Sequence, residues 1–445
     1  MGQRTKLITE IFGFQGWKVK EAFFEGPDGR RYESAVGLEF MRDVRLVLRV
    51  ERQWMQRCSR CGAACRVVHE RLQARRWKDL PWAGRPVEVE AALVRVKCRR
   101  CGTHAVELVP WADPYQRESK RFGQHLALQA SSMPVMHVAT QHGVSWSTVH
   151  RAEMAALRRW EATRSTPPLR QVGIDEKWLG RRHRLEHHFV TIISNLETGE
   201  PVWIGPGRGQ KTVQRWLATL SAEQKAVIEL FALDMHGPFL AAIRADPVLG
   251  ERPVVHDPFH VMKRVNQAVD ETRRDIFFRA GDFARAMGRG ARWIVLRAWE
   301  NNSVEDQKRL VELLAFNRLL ARTYIIKETM RQVLRAPGRA SMTAGLRHVL
   351  RRTQARRHEH LRSLHDSLVA HREEILALGE HRPATGRIEA LNNNWETLVR
   401  RGRGYRNYQH FLLKLRFMTA NPIRSADGTR RFIALGLQPP IPKAA

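Results

Sequence analysis

Three carboxylates each close a short apolar run. Val172-Gly173-Ile174 runs into Asp175, Phe231-Ala232-Leu233 into Asp234, and Pro253-Val254-Val255-His256 into Asp257. A strand that ends in an acid sets the acid at the edge of a sheet, within reach of a metal or a substrate. A single Asp there more often serves a turn or caps a helix. Three of them, with Glu389 as a candidate partner further along, point to chemistry. Separated carboxylates on neighbouring elements hold two divalent cations roughly 3.5–4 Å apart. Such a pair lowers the pKa of a water or a 3′-hydroxyl and stabilises the leaving 3′-oxygen of an in-line displacement at phosphorus. Mg2+, or Mn2+ in its place, suits carboxylate and phosphate oxygens. The nucleophile is then water or DNA itself, and no Ser-His-Asp constellation is required. The acids outnumber three. Glu176 adjoins Asp175, with its side chain expected on the other face of the strand. Glu396 lies two helical turns past Glu389, and Asp257 competes with Asp234 as second ligand.

A second group of residues points to a different metal. Four of the five cysteines form two Cys-x-x-Cys pairs, Cys58 with Cys61 and Cys98 with Cys101. Two such knuckles brought together by a small sheet supply the four thiolates of a structural Zn2+. Strands at Val87–Glu90 and Leu93–Lys97, with a turn over residues 80–85, complete a zinc-ribbon pattern. Cys65 is expected as a small apolar residue, or as a replacement for Cys61; His69 and His104 are weaker candidates.

The charge identifies the partner class. Lys and Arg number 76 against 45 acids, a formal net charge of +31. That excess is the footprint of a polyanion binder, nucleic acid first and an anionic membrane surface second. The basic residues are spread over many segments, no lipidation motif occurs, and no apolar run reaches bilayer length. The N-terminus lacks the apolar core of a signal peptide, and the expected location is the cytoplasm, at the nucleoid.

The elements that must position these groups follow in order. Residues 1–50 alternate like strands at 17–19 and 45–50. Residues 118–164 are helical. His142-Gly143-Val144-Ser145 supplies a turn and an N-cap, followed by an apolar-periodic helix from Trp146 to about Trp160, a helix-turn-helix pattern. Trp146, Ser147, Thr148, His150 and Arg151 at its start are expected to face a major groove. Pro167-Pro168 marks a domain boundary. Beyond it come three hairpin-connected strands, then alternating helix and strand, a mixed α/β layer; without Gly-x-Gly-x-x-Gly it is not a dinucleotide-binding unit. From Phe259 to about Gly379 the pattern is helical. A last helical segment puts Ile388, Leu391, Trp395 and Leu398 on one face. Glu389 lies on its flank, and Asn392, Asn393, Arg400, Arg401 and Arg403 suit phosphate contacts.

Taken together, the chain resembles the ISL3 family of bacterial insertion-sequence transposases. The resemblance rests on the Cys-x-x-Cys pairs, Gly143-Val144-Ser145-Trp146, Gly173-Ile174-Asp175-Glu176 and Leu233-Asp234-Met235. It extends through Asp257-x-Phe259-His260, Asp270-x-x-Arg273, Glu389-Ala390-x-Asn392-Asn393 and Gly404-Tyr405-Arg406-Asn407. It implies Asp175, Asp234 and Glu389 as the metal-binding triad of an RNase H-like domain, with a helical insertion between the second and third acids. Asp257 and His260 are similar to an acid-x-x-His signature that organises the site. Ala390, where many relatives have Gly, and Trp395, in a segment usually richer in Lys, depart from the pattern.

The fold expected is multidomain α+β. An N-terminal segment (1–50) precedes a zinc ribbon (51–113) and a helix-turn-helix domain (118–164). An RNase H-like core (168–260 and 381–420) is interrupted by a helical insertion (261–380), and a tail (421–445) follows. The function implied is binding of terminal inverted repeats in double-stranded DNA, followed by Mg2+-dependent cleavage and strand transfer. Synapsis of two ends calls for a homodimer or larger assembly. A non-catalytic regulator and an RNase H-like nuclease are the alternatives.

Overall fold

The computed structural model describes residues 3–38, 41, 43–165, 167–179, 188–279, 281–354, 358–402, 405 and 407–437. Arg403, assigned above to DNA, lies outside them, as do Gly404 and Arg406 of the family motif. The chain forms two compact units, residues 1–165 with 397–445, and residues 166–396.

The first unit is built on a sheet of β1 (Trp17–Glu25), β2 (Arg31–Tyr32), β3 (Arg45–Arg52), β4 (Val68–Trp82), β5 (Arg85–Lys97) and β6 (His104–Val106). Its order is β2-β1-β3-β5-β4, with β6 also pairing β5. The strand β3 crosses the boundary expected at residue 50, so both of the first two sequence segments share this sheet. Alternation sorts the faces of β5. Val87, Val89 and Ala91 pack with Trp17, Leu48 and Trp77. Glu88 and Glu90 face the arginines of neighbouring strands, with Glu90 2.7 Å from Arg49 and 2.9 Å from Arg76. These arginines are therefore committed to acids of the sheet. The two strands expected within residues 87–97 are one, and it forms a tight hairpin with β4. Ala83 and Gly84 turn that hairpin at φ 49° and 74°, the left-handed pair that a two-residue turn demands.

Three helices follow: Lys120–Ala130, Val135–Gln141 and Trp146–Ala162. Ser119 and Ser145 cap the first and third, each accepting a backbone N–H three residues on. Phe122, Leu126, Val138 and Val149 form their shared core. The helices Tyr408–Ala420 and Ala426–Leu437 belong to this same unit. Phe417 and Phe432 pack on Ala127, Leu157 and Trp160. Residues 408–420, expected in the last part of the catalytic core, pack on the helix-turn-helix, because their apolar stripe meets that of the third helix. Part of the expected tail is helical for the same reason.

A buried charge cluster ties these helices together. Glu153 is 2% exposed, and its carboxylate lies 2.6 Å from Lys414 and 3.1 Å from His410. Burial disfavours its charge, but the His410 hydrogen bond and the Lys414 ammonium hold its pKa below the ordinary carboxylate value. A depressed folded pKa stabilises the protein fully above the unfolded value near about 4.3, and the stabilisation is lost as pH falls through the folded value. Glu153→Gln is expected to cost about 3–5 kcal/mol at neutral pH by leaving Lys414 buried and unpaired. In urea unfolding, the gap between variant and parent should narrow as pH drops below about 4; a gap independent of pH would contradict this.

The second unit holds β7 (Gln171–Trp178), β8 (Phe189–Asn195), β9 (Pro201–Pro206), β10 (Leu230–Leu233) and β11 (Val254–His256), in the order β11-β10-β7-β8-β9. The strands β7, β8 and β9 pair antiparallel, while β10 and β11 run parallel to β7. Every residue of β10 and β11 is buried, as expected for parallel strands covered on both faces. Phe231 and Leu233 pack under Trp216 and Phe239 from the flanking helices. Helices then run from Pro258–Phe278 to Arg372–Leu376, and Val261, Ile326, Met330 and Leu361 share a core with Leu230 and Val255. The helix Gly386–Gly402 comes back to the sheet, where Ile388 packs on Leu196 and Ala232. Gly173 allows that approach. A Cβ there would lie 2.6 Å from Ser194 Oγ, 2.7 Å from Leu196 Cδ2 and 3.3 Å from Ile388 Cδ1.

Candidate active site, metal centre and nucleic-acid interface

The three acids that end apolar runs come together because their strands are parallel and in register. Leu233 of β10 sits opposite Ile174 of β7 and His256 of β11. The next residues, Asp234, Asp175 and Asp257, therefore lie level on three adjacent strands; Asp234 and Asp257 follow the last residues of β10 and β11, whereas β7, expected to end at Asp175, continues to Trp178 along β8. The carboxyl ends of parallel strands are where open α/β sheets bind ligands. Asp175 is 7% exposed and held at both oxygens. Its Oδ1 accepts the Glu176 N–H at 2.8 Å and its Oδ2 accepts Asn392 Nδ2 at 2.7 Å. Asn392, expected on a phosphate, donates to Asp175 here. Asp257 caps the helix it precedes, accepting the Phe259 N–H at 3.0 Å. His260, one turn into that helix, places Nδ1 4.0 Å from Asp234 Oδ2.

Asp234 carries the strain of this crowding. Its pKa is pushed up to about 7, first by burial, then by the charges of Asp175, Glu176 and Asp257, with Lys263 opposing them. Asp234 Oδ1 is buried without a hydrogen-bond partner, and so is Glu176 Oε2. Two orphaned carboxylate oxygens among like charges fit a site that takes up divalent cations. Arg208 lies 3.4 Å from Glu176 Oε1. His236 is a further neighbour that the sequence did not mark; its buried Nδ1 has no partner. Glu389 is exposed in the first turn of its helix. Among the described residues, Asp175, Asp234 and Glu389 do not bring their oxygens within 4.8 Å of one another; two other groups meet that measure.

The first of those groups is Cys58, Cys61, Cys98 and Cys101. Cys58 and Cys101 Sγ are 3.9 Å apart, Cys61 and Cys98 3.6 Å, and Cys98 and Cys101 3.7 Å. Zn–S bonds of about 2.3 Å in a tetrahedron require sulfurs about 3.8 Å apart, so the quartet fits Zn2+. The Cys101 backbone N–H pulls the Cys98 thiol down to about 6, toward the thiolate that binds metal. Cys65 is buried beside the quartet with its pKa raised, first by burial, as a small apolar residue would be. The rings of His69 and His104 stack on each other at 3.9 Å and are not part of the cluster. The second group, His256, His371 and Glu374, was not foreseen.

In the helix-turn-helix, Gly143 turns the chain at φ 57°. The following helix leaves Trp146 47% exposed, with Ser147 and Arg151 also exposed. Arg151 is engaged by Glu118 at 2.6 Å. The Thr148 N–H is taken by Ser145 Oγ, and its hydroxyl lies 2.9 Å from the same oxygen. His150 is half-buried, stacked on Trp146 and 3.3 Å from His410. The Ser147 hydroxyl lies 2.9 Å from Ser145 Oγ. Asn393 and Arg400 are exposed on the later helix and Arg401 is partly so.

Residues 172–415 match the family model described as transposase, the DDE enzymes of the ISL3 group. Residues 107–154 match the helix-turn-helix domain of transposase family ISL3. The chain is 27% identical over 414 residues to the transposase for insertion sequence element IS1001 of Bordetella parapertussis, covering 92% of this chain and 97% of that protein. It is also 27% identical over 389 residues to the transposase for IS1557 of Mycobacterium tuberculosis, covering 80% and 84%.

Proposed function

The chain belongs to the ISL3 family of transposases, and from that premise we propose that it cuts DNA at the terminal inverted repeats of an insertion sequence and joins the ends to target DNA. The observation that carries this reading is the convergence of Asp175, Asp234 and Asp257 from three neighbouring, in-register strands, with Asp234 Oδ1 buried and without a hydrogen-bond partner. Like charges are gathered there at a cost that bound cations would relieve. The sheet order β11-β10-β7-β8-β9, with its antiparallel hairpins and two parallel strands, supports an RNase H-like core interrupted by the helical stretch.

Asp175, Asp234 and Glu389 would hold Mg2+ or Mn2+. Bound there, the ions would activate a water or 3′-hydroxyl and stabilise the leaving oxygen at phosphorus. The chain's own residues prepare that site. Asn392 and the Glu176 N–H fix the rotamer of Asp175. His260 stands beside Asp234, its Nδ1 4.0 Å from Asp234 Oδ2. Asp257 holds the start of the His260 helix. The cysteine quartet would hold Zn2+ as a structural ion and stiffen the DNA-binding unit. Trp146, Ser147, Thr148, His150 and Arg151 form the proposed groove-facing end of the helix-turn-helix. Asn393, Arg400, Arg401 and Arg403 are assigned to phosphates, and the excess positive charge supplies the non-specific attraction to DNA. Two ends must be brought together, so the working form is a homodimer or larger assembly at the bacterial nucleoid. No described helix is long and apolar enough to cross a membrane.

The test is to incubate the protein and Mg2+ with a duplex carrying the repeats that flank its coding region, plus a target plasmid. Cutting at the repeat boundary followed by joining is expected. Cutting without joining would make it a nuclease, and binding without cutting a regulator; either result overturns the proposal.

A further inference from the structure

Behind the carboxylate cluster lies a group of side chains that the proposed cleavage does not use. His256 is the last residue of β11, level with Leu233 and one residue before Asp257. It is fully buried. Its Nδ1 is 3.3 Å from the Leu233 carbonyl, so the proton sits on Nδ1 and the Nε2 lone pair points the other way. That lone pair meets His371 Nδ1 at 3.0 Å. His371 stands at the start of the Arg372–Leu376 helix, and Glu374, one turn on, adds a carboxylate. The three ligand atoms lie within 4.8 Å of one another.

We propose that His256, His371 and Glu374 form a second transition-metal site, separate from both the cysteine quartet and the catalytic acids. Two imidazoles and one carboxylate suit Zn2+ better than Mg2+, which prefers oxygen ligands alone. Metal-binding histidines characteristically donate their other ring N–H to a carbonyl, as His256 does to Leu233. Bonds of about 2.0–2.1 Å place tetrahedral nitrogens about 3.3 Å apart. The pair at 3.0 Å need separate by only a few tenths of an ångström. Three protein ligands leave one position for water. Glu374 is 11% exposed and lies 3.8 Å from Arg244.

The position gives the site a purpose. It would clamp the end of β11, from which Asp257 emerges beside Asp234, to the last helices of the helical stretch. It would thereby set how that stretch closes against the sheet before the chain reaches Glu389. His256 and His371 are far apart in sequence, so a bond between them restricts the unfolded chain strongly.

Zinc content of the full-length protein, purified without chelator, reads the proposal. About two ions per chain are expected for the parent, about one for His371→Ala and Glu374→Ala, and about one for Cys98→Ser. Co2+ substitution separates the sites independently of the zinc-ribbon assignment. Cobalt at the cysteine quartet gives intense sulfur-to-metal charge-transfer absorption, whereas cobalt at His256, His371 and Glu374 gives d–d bands alone. His371→Ala and Glu374→Ala should lose only the latter component. Both variants alter residues outside the sheet, so circular dichroism should remain that of the parent. Parent protein in which neither substitution lowers metal content or changes the d–d bands would overturn the site and leave a histidine–histidine hydrogen bond.

Discussion

Asp234→Asn is expected to abolish Mg2+-dependent nicking of a terminal-repeat duplex, lowering the rate by at least about a thousandfold, or ~4 kcal/mol of barrier. The substitution preserves volume and removes the charge around which the site is built. Asp234 is held near neutrality by burial and by Asp175, Glu176 and Asp257, and one of its oxygens has no protein partner. An amide there would relieve the repulsion. The variant should therefore fold at least as stably as the parent while losing its affinity for cations. The repeat duplex should still bind in a mobility-shift assay, because the helix-turn-helix lies in the other unit. Parent-like cutting by Asp234→Asn would remove this residue from the cation site.

Cys98→Ser carries the second large effect. Loss of a structural Zn2+ removes a binding free energy of roughly 10–16 kcal/mol, most of which is folding free energy for a small metal module. Cys98 is 1% exposed, directly after β5, whose residues pair with β3, β4 and β6. Damage at this corner should spread through the sheet. Affinity for the repeat duplex is expected to fall at least about a hundredfold, ~3 kcal/mol, with zinc content reduced by one ion per chain. Cys65→Ser at the neighbouring thiol should keep the zinc. Unchanged zinc in Cys98→Ser would contradict the four-cysteine site.

The parts legible in sequence were those with a local signal. The apolar runs ending in Asp175, Asp234 and Asp257 are buried strands of a parallel and mixed sheet, and a continuous apolar run is what such strands require. Ser145 and Gly143 announced the turn and cap because their chemistry is local. The paired cysteines announced the quartet because each knuckle is contiguous. What escaped was set by contacts distant in sequence. The strand β4 reads His69-Glu70-Arg71-Leu72-Gln73-Ala74-Arg75-Arg76, a string without strand alternation, and is extended because β5 pairs with it over most of its length. Asn392 looked like a phosphate ligand. Its partner Asp175 lies 217 residues away, and only the packing of Ile388 over Gly173 brings the two together. His256 was assigned no chemistry for the same reason: its neighbours Leu233 and His371 come from another strand and from the helical stretch.

The structure leaves one sharp contest within the proposed triad. The family resemblance names Glu389 as third ligand, but this side chain is exposed, whereas Glu176 adjoins Asp175 and has a buried Oε2 without a hydrogen-bond partner. Mg2+-dependent nicking by Glu389→Gln and Glu176→Gln, measured side by side on a repeat duplex, decides it. If Asp175, Asp234 and Glu389 hold the catalytic ions, Glu389→Gln cuts no DNA at detectable rate while still binding it, and Glu176→Gln cuts within about tenfold of the parent. Parent-like cutting by Glu389→Gln, with Glu176→Gln inert, would contradict the account and move the third ligand to the strand.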